Sequence, residues 1–260
     1  SSIRLIFDDD DTSYELLCLA KTNNGHKNLM KIISNAHNNS LFNFPIIRFN
    51  DLIELKEDII VISGGKDSHI FEYLKSNNIS DASERIDDFR NSFGDNFVLD
   101  VQLTNRIDEI EYLKNVLPIA KDKGIPLIAT NDVLFSEKDD YEIHETKVCI
   151  NTGKTLNDPN RERVFSEHQY FKSPQEMTEL FKDYDSLIDN TNEISKKCNV
   201  SLETKGYFLP EYPVPKKHDF DSYLQEISTN RIESYIKDFN IEKRNEYLDR
   251  LNYELEQIKT

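Results

Sequence analysis

The chain has 260 residues, and its 32 Lys and Arg against 48 Asp and Glu give a formal net charge of −16, which excludes a module dedicated to gripping nucleic acid, because such modules neutralise phosphates with clustered cations. Seven glycines, with no G-x-G-x-x-G or G-x-x-x-x-G-K-[ST] pattern among them, exclude the phosphate-cradling loops of the dinucleotide-binding and P-loop kinds. The 37% hydrophobic content is enough for a core, and the length fits one large domain or two small ones.

The chain opens on a short β-branched run at 3–7, a predicted strand. Four carboxylates follow at Asp8, Asp9, Asp10 and Asp11. They lack the D-x-[DN]-x-[DN]-G order of a calcium loop, and adjacent carboxylates do not all aim at one ion, so they read as a solvated turn. Residues 15–20 predict a second strand. A helix is expected over 28–36, where Leu29, Ile32, Ile33 and Ala36 fall at i, i+3, i+4 and i+7. A buried strand over 58–63 runs into Ser63-Gly64-Gly65-Lys66 and then a helical pattern from Asp67. Backbone N–H groups and Lys66 make that turn a phosphate candidate, which a tight strand-to-helix turn explains equally well. A strand over 97–102 follows. The next helix, over 106–123, shows Ile107, Ile110, Leu113, Leu117 and Ala120 on one face and stops at Gly124. A strand over 126–130 completes an alternation that predicts an α/β architecture with parallel strands. Asp132, in Ala129-Thr130-Asn131-Asp132, stands at a strand end, where α/β folds build sites.

Beyond about residue 135 the strands stop. A helix over 139–151 places Asp140 and His144 at i, i+4, close enough to share a proton or a metal, with a structural histidine as the plainer reading. The six histidines are scattered and form no H-x-H or H-E-x-x-H, so zinc-protease chemistry has no footing. A polar loop over 153–163 precedes a helix over 173–183, with Ser173 as N-cap, Pro174 at its first position and Glu176 completing a capping box. A further helix covers 186–198. Pro210, Pro213 and Pro215 then make 206–215 an extended connector. Two long helices fill 219–260, and the last stops in mid-pattern, so the chain reads as a piece of a longer protein. Cys18, Cys149 and Cys198 are odd in number and lack C-x-x-C spacing. With no apolar run near the length of a membrane span and no signal-peptide pattern, a reducing cytoplasmic compartment and no membrane partner are expected.

Several runs together carry a resemblance. Leu17-Cys18-Leu19-Ala20-Lys21-Thr22-Asn23-Asn24-Gly25, Ile62-Ser63-Gly64-Gly65, Ala129-Thr130-Asn131-Asp132-Val133, His144-Glu145, Thr152-Gly153-Lys154-Thr155-Leu156-Asn157-Asp158-Pro159 and Tyr207-Phe208-Leu209-Pro210-Glu211-Tyr212-Pro213 follow one another in this order. As a set they resemble the α, or polymerase, subunit of bacterial DNA polymerase III over essentially the whole chain. The resemblance implies that 1–205 is a polymerase-and-histidinol-phosphatase (PHP) domain, a distorted α/β barrel lacking its first strands and their H-x-H motif. Residues 206–260 would be the connector and the helical start of the palm.

Intact members of this family carry a metal-dependent site that removes 3′ nucleotides, and this chain departs from it residue by residue. The resemblance implies S-G-C where Ser63-Gly64-Gly65 stands, E-L-Q-x-H-G where Asp100-Val101-Gln102-Leu103-Thr104-Asn105 stands, and N-D-x-H where Asn131-Asp132-Val133-Leu134 stands. The vestigial metal positions are therefore Gly65, Thr104, Asp132 and Leu134, and only Asp132 keeps a ligand. The expectation is a degenerate, metal-free PHP domain with no catalytic residue and no cofactor of its own, serving as scaffold and docking site for a proofreading exonuclease subunit and other replicase subunits. Mg²⁺ and DNA would be handled by the palm and other domains of the parent polymerase. Two alternatives stand beside it: a residual phosphoesterase if Asp132, Asp140 and His144 converge, and an acidic adaptor unrelated to replication if the strands do not assemble.

Overall fold

The computed structural model describes residues 2–7, 12–38, 45–202, 206 and 210–259. The aspartates at 8–11 lie outside the described residues, as do 207–209 of the connector. Two compact units divide the chain, Ser1–Leu202 and Glu203–Thr260.

In the first unit, β1 (Ser2–Ile6) and β2 (Ser13–Ala20) are followed by α1 (Asn23–Asn38), β3 (Ile46–Arg48) and α2 (Phe49–Glu54). Next come β4 (Ile59–Ile62), α3 (His69–Lys75), α4 (Ile79–Phe93), β5 (Phe97–Gln102), α5 (Glu109–Lys123) and β6 (Leu127–Thr130). The described strands form one open six-stranded sheet in the order β3-β1-β2-β4-β5-β6, not a closed barrel. The α/β class stands, but the expectation of parallel strands is corrected. β4, β5 and β6 are parallel, as are β1 and β3, whereas β2 runs antiparallel to both β1 and β4. The reason is connection length: only six residues separate Ile6 from Ser13, enough for a hairpin and too few for a crossover.

The centre of the sheet is buried on both faces, so its strands read as unbroken apolar runs. In β4, Ile59 and Val61 join the large core cluster with Leu29, Ile32, Phe71, Leu74, Ile86, Phe89 and Val116 of the helices. Ile60 and Ile62 face the other way, into a smaller cluster with Val98, Ile128 and Ile194. One end of the larger cluster is aromatic. Phe89 stacks on Phe97 at 4.9 Å and meets Phe7 and Phe49 edge-on at 5.7 and 5.2 Å, geometries that add to simple burial.

The second half of this unit holds α6 (Tyr141–Thr152), α7 (Pro174–Leu180) and α8 (Asp185–Lys197). The expected capping box of α7 is present, with Ser173 Oγ accepting from the Glu176 N–H and Glu176 from the Ser173 N–H. α8 lies along β6 and meets its outer edge with side chains. Asn190 Nδ2 donates to the Leu127 carbonyl at 2.8 Å, while Thr191 Oγ1 accepts from the Ala129 N–H at 3.0 Å and shares its one proton between the Leu187 and Ala129 carbonyls, at 2.9 and 3.0 Å.

In the second unit, residues 210–218 have neither helix nor strand, as the prolines require. α9 (Phe220–Tyr235), capped by a reciprocal Asp219–Ser222 box, and α10 (Ile241–Lys259) form a helical hairpin. Tyr235, Phe239 and Tyr247 cluster where the chain turns. Among the described residues no helix is long and apolar enough to cross a membrane.

Candidate functional site

The C-terminal ends of β4, β5 and β6 lie side by side in the sheet, and Gly65, Thr104, Asp132 and Leu134, the positions marked by the family resemblance, fall just after them. The site is built first around Asp100, a carboxylate set in the apolar strand β5 and only 2% exposed. Its Oδ1 accepts from Ser63 Oγ at 2.6 Å, the Gly65 N–H at 2.8 Å and the Gly64 N–H at 3.0 Å, while its Oδ2 accepts from Thr130 Oγ1 at 2.8 Å. A buried carboxylate is tolerable only with such a complement of donors. Its negative charge makes those bonds stronger than neutral ones. The Ser63-Gly64-Gly65-Lys66 turn is therefore no phosphate cradle, because the N–H groups of Gly64 and Gly65 are committed to Asp100 and that of Ser63 to the Val98 carbonyl.

Geometry favours glycine at both positions of the turn, most firmly at Gly64, where a Cβ would meet backbone. Gly64 and Gly65 have φ of 96° and 58°, in the left-handed region that glycine adopts most readily. A Cβ on Gly64 would stand 2.3 Å from the Glu15 carbonyl oxygen, and one on Gly65 2.4 Å from the Gln102 amide nitrogen. The side chain of Gln102 thus occupies the space beside Gly65.

Past β5 the chain makes two left-handed turns, at Asn105 (φ 61°) and Asp108 (φ 72°), before entering α5 at Glu109. The helix expected from residue 106 accordingly starts three residues later, and Arg106 belongs to the turn. Glu109 is 3% exposed and accepts from the Thr104 N–H and the Thr104 Oγ1, both at 2.6 Å, and from the Arg106 N–H at 3.3 Å. It stands in the first turn of α5, where the helix dipole favours a negative charge. Thr104 is fully buried.

Arg106 then ties the strand ends together. Its Nε donates to Thr104 Oγ1 at 2.9 Å and Glu109 Oε1 at 3.0 Å, one terminal nitrogen to Gln102 Oε1 at 2.7 Å, and the other to Asp132 Oδ2 at 3.0 Å. Asp132 Oδ2 also accepts from Gln169 Nε2 at 2.8 Å, and Gln169 is fully buried. Leu134, 37% exposed, contributes only its backbone N–H, which donates to the Gln169 carbonyl at 2.9 Å. Lys172 Nζ closes the rim, donating to Asn131 Oδ1 at 3.2 Å and to the His168 carbonyl. Desolvation by its surroundings lowers the Lys172 pKa, partly opposed by Glu176 and Glu109.

The structure therefore brings Gly65, Thr104 and Asp132 to one group of strand ends, with Leu134 two residues further on. It gives Asp140 and His144 different partners. Asp140 Oδ2 accepts from the Glu137 N–H as an N-terminal cap, and His144 packs between Phe135 and Phe165 at 5.5 and 4.8 Å. Beside it, buried Glu145 is paired with Arg161. Sequence reasoning missed Arg106, Glu109 and Gln169 as members of the site. Asp100 carried a signal, a lone carboxylate inside the run Phe97-Val98-Leu99-Asp100-Val101.

A catalytic zinc or manganese ion needs three or four converging donors, and the residues here do not fit one. Gly65 has no side chain, Leu134 has no donor, the Thr104 hydroxyl is spent on Glu109, and Asp132 is bound to a cation and an amide. Among the described residues, no three His, Cys, Asp or Glu side chains group as a metal site.

Comparison with known proteins places this arrangement. The PHP domain family model matches residues 2–104. The chain is 36% identical over 260 residues to the DNA polymerase III subunit alpha of Pseudomonas aeruginosa, covering 96% of this chain and 22% of that protein. The proteins of the same name from Escherichia coli K12 and Vibrio cholerae are each 36% identical, over 255 and 254 residues, again covering 95% of this chain and 22% of theirs. The chain thus spans about a fifth of the length of the curated relatives it matches.

Proposed function

We infer that this chain, a homologue of bacterial DNA polymerase III α subunits that carries a PHP domain, is part of the polymerase subunit of a bacterial replicase. Its PHP domain acts there as a metal-free scaffold and docking site for a proofreading exonuclease subunit. One observation supports this reading above the others: of the positions where the family resemblance implies metal ligands, Gly65, Thr104, Asp132 and Leu134, the only carboxylate is bonded to Arg106 and Gln169. Without a metal to activate water or to stabilise the leaving oxygen, the strand ends have no means of cleaving a phosphodiester. A replicase whose own strand-end nuclease is lost needs proofreading from elsewhere, which is the reason to expect a partner nuclease.

DNA synthesis in the parent protein would depend on palm carboxylates and two Mg²⁺ ions, which no residue of this site supplies. The net charge of −16 suits a partner-facing part better than a DNA-gripping one. The homology also weighs against an acidic adaptor unrelated to replication.

Two measurements test the reading. Metal analysis of the purified chain after incubation with zinc and manganese should find no stoichiometric ion, and one equivalent bound through Asp132 refutes the metal-free assignment. A pull-down with the proofreading exonuclease subunit of a matching replicase should retain that subunit, and no retention by this chain or by the full-length polymerase refutes the docking role.

A further inference from the structure

Four oxygens converge on the Arg106 guanidinium: Gln102 Oε1 at 2.7 Å, Thr104 Oγ1 at 2.9 Å, and Glu109 Oε1 and Asp132 Oδ2 at 3.0 Å. Two belong to carboxylates, and the arginine side chain is only 7% exposed. We propose that this is a cation site whose occupant is the chain's own guanidinium, so that Arg106 neutralises and clamps the ends of β5 and β6 with a charge that is covalently attached. The inference rests on the metal-free reading above and goes beyond it, because it names what fills and closes the site.

Glu109 is 3% exposed and Asp132 projects from the neighbouring strand end. Partly desolvated carboxylates on adjacent elements repel each other unless a cation stands between them. A planar guanidinium presents five donors in a fixed fork and can meet four oxygens in one geometry, whereas an ammonium has three donors around a single point. Gly65 belongs to the same arrangement. A Cβ there would stand 2.4 Å from the Gln102 amide nitrogen and push that flexible side-chain end aside, and it is Gln102 Oε1 that receives the shortest of the four bonds to Arg106. The absence of a side chain at 65 leaves the room that Gln102 uses, and Gln102 in turn orients Arg106. On this view the site is closed to a divalent ion by an internal competitor as well as by missing ligands.

The test is thermal unfolding of the whole chain and of its Arg106→Ala, Arg106→Met and Arg106→Lys variants, with and without millimolar ethylguanidinium, and with ethylammonium at the same concentration as control. Arg106→Ala and Arg106→Met should melt roughly 10 °C below the parent chain, the expected scale for breaking a buried, hydrogen-bonded charge pair in a unit of this size. Arg106→Lys should fall between them and the parent. Ethylguanidinium should recover at least half of the loss in Arg106→Ala, ethylammonium much less, and neither should raise the melting temperature of the parent or of Arg106→Met, whose side chain fills the space. An Arg106→Met variant that melts with the parent overturns the proposal, as does an Arg106→Ala variant for which the two additives are equivalent. Should circular dichroism show Arg106→Ala to be unfolded, Arg106→Lys and Arg106→Met decide, and equal melting of those two overturns it. These results are separate from the metal analysis: an ion bound by the parent chain removes the metal-free reading, whereas failed rescue removes only the role given to the guanidinium.

Discussion

Asp100 offers the sharpest perturbation of this structure. Truncation to alanine removes one carboxylate and leaves four donors facing a gap: the N–H groups of Gly64 and Gly65 and the hydroxyls of Ser63 and Thr130. The hydroxyls can rotate toward other acceptors, but the two backbone N–H groups are fixed by the left-handed conformations of their residues. Each buried donor left without a partner costs about 1–3 kcal/mol, so Asp100→Ala should destabilise the fold by about 4 kcal/mol, or roughly 10 °C in melting temperature. Asp100→Asn keeps an oxygen for the same three donors and turns an amide toward Thr130, whose hydroxyl can accept instead of donate. It should cost about 1 kcal/mol, the difference between a charged and a neutral acceptor. Urea titration followed by circular dichroism gives both values. A loss below about 1 kcal/mol for Asp100→Ala, or equal losses for the two variants, would show that the carboxylate does not organise the turn.

Other expectations follow from the same geometry. Gly65→Cys, which restores the residue implied by the family pattern, should lower the melting temperature and bind no zinc, because φ of 58° and the Gln102 amide at 2.4 Å oppose any side chain there; zinc binding measured by calorimetry with no loss of stability contradicts this. Glu176 is held down to about 2, chiefly by the Tyr170 hydroxyl and then by Ser173. A lowered carboxylate contributes stability above its unfolded value that is lost as pH falls toward the folded one. Protection of the 175–180 amides against exchange, corrected for the intrinsic pH dependence of the exchange rate, should therefore fall as pH drops from about 4.5 toward 2, and this fall should be absent in Glu176→Gln. Burial pushes the Cys18 thiol up to about 12, and Cys149 is buried as well, whereas Cys198 is partly exposed. A thiol reagent at neutral pH should label Cys198 alone in the folded chain, and mass spectrometry that finds modified Cys18 without unfolding would refute this.

Much of the fold was legible because the central strands carry an unambiguous pattern. The range 97–102 matches β5 residue for residue, and the runs at 58–63 and 126–130 contain β4 and β6. Those strands are buried on both faces, so their buried residues had to be apolar, and among these Asp100 alone broke the rule, Gln102 and Thr130 standing half-buried at the strand ends. β3 escaped notice because three residues paired to β1 have no period of their own. α4 has its apolar face at Ala82, Ile86, Phe89 and Phe93, but serines and aspartates dilute the pattern. The direction of β2 was set by the length of a connection, which apolar periodicity does not weigh. In the site, Asp132 was readable from its place at a strand end, whereas Gly65, Thr104 and Leu134 were marked only by the family resemblance. Arg106 reads as the first residue of a helix but lies in the turn before it, and Gln169 reaches Asp132 from 37 residues away, a distance over which neither spacing nor propensity says anything.

The side-chain clasp of α8 on β6 has a consequence for how this molecule behaves in company. An open sheet invites another chain to extend it, since the last strand offers unpaired N–H and C=O groups to any passing backbone. Here Asn190 and Thr191 have already answered the Leu127 carbonyl and both backbone groups of Ala129. A newcomer would have to peel a helix away before it gained its first bond. The sheet can thus stay open without being adhesive on that side, and melting and sedimentation should not depend on concentration through β6. Thr191→Val, which keeps the shape and removes the hydroxyl, would expose the latent template and should make the protein aggregate sooner on heating.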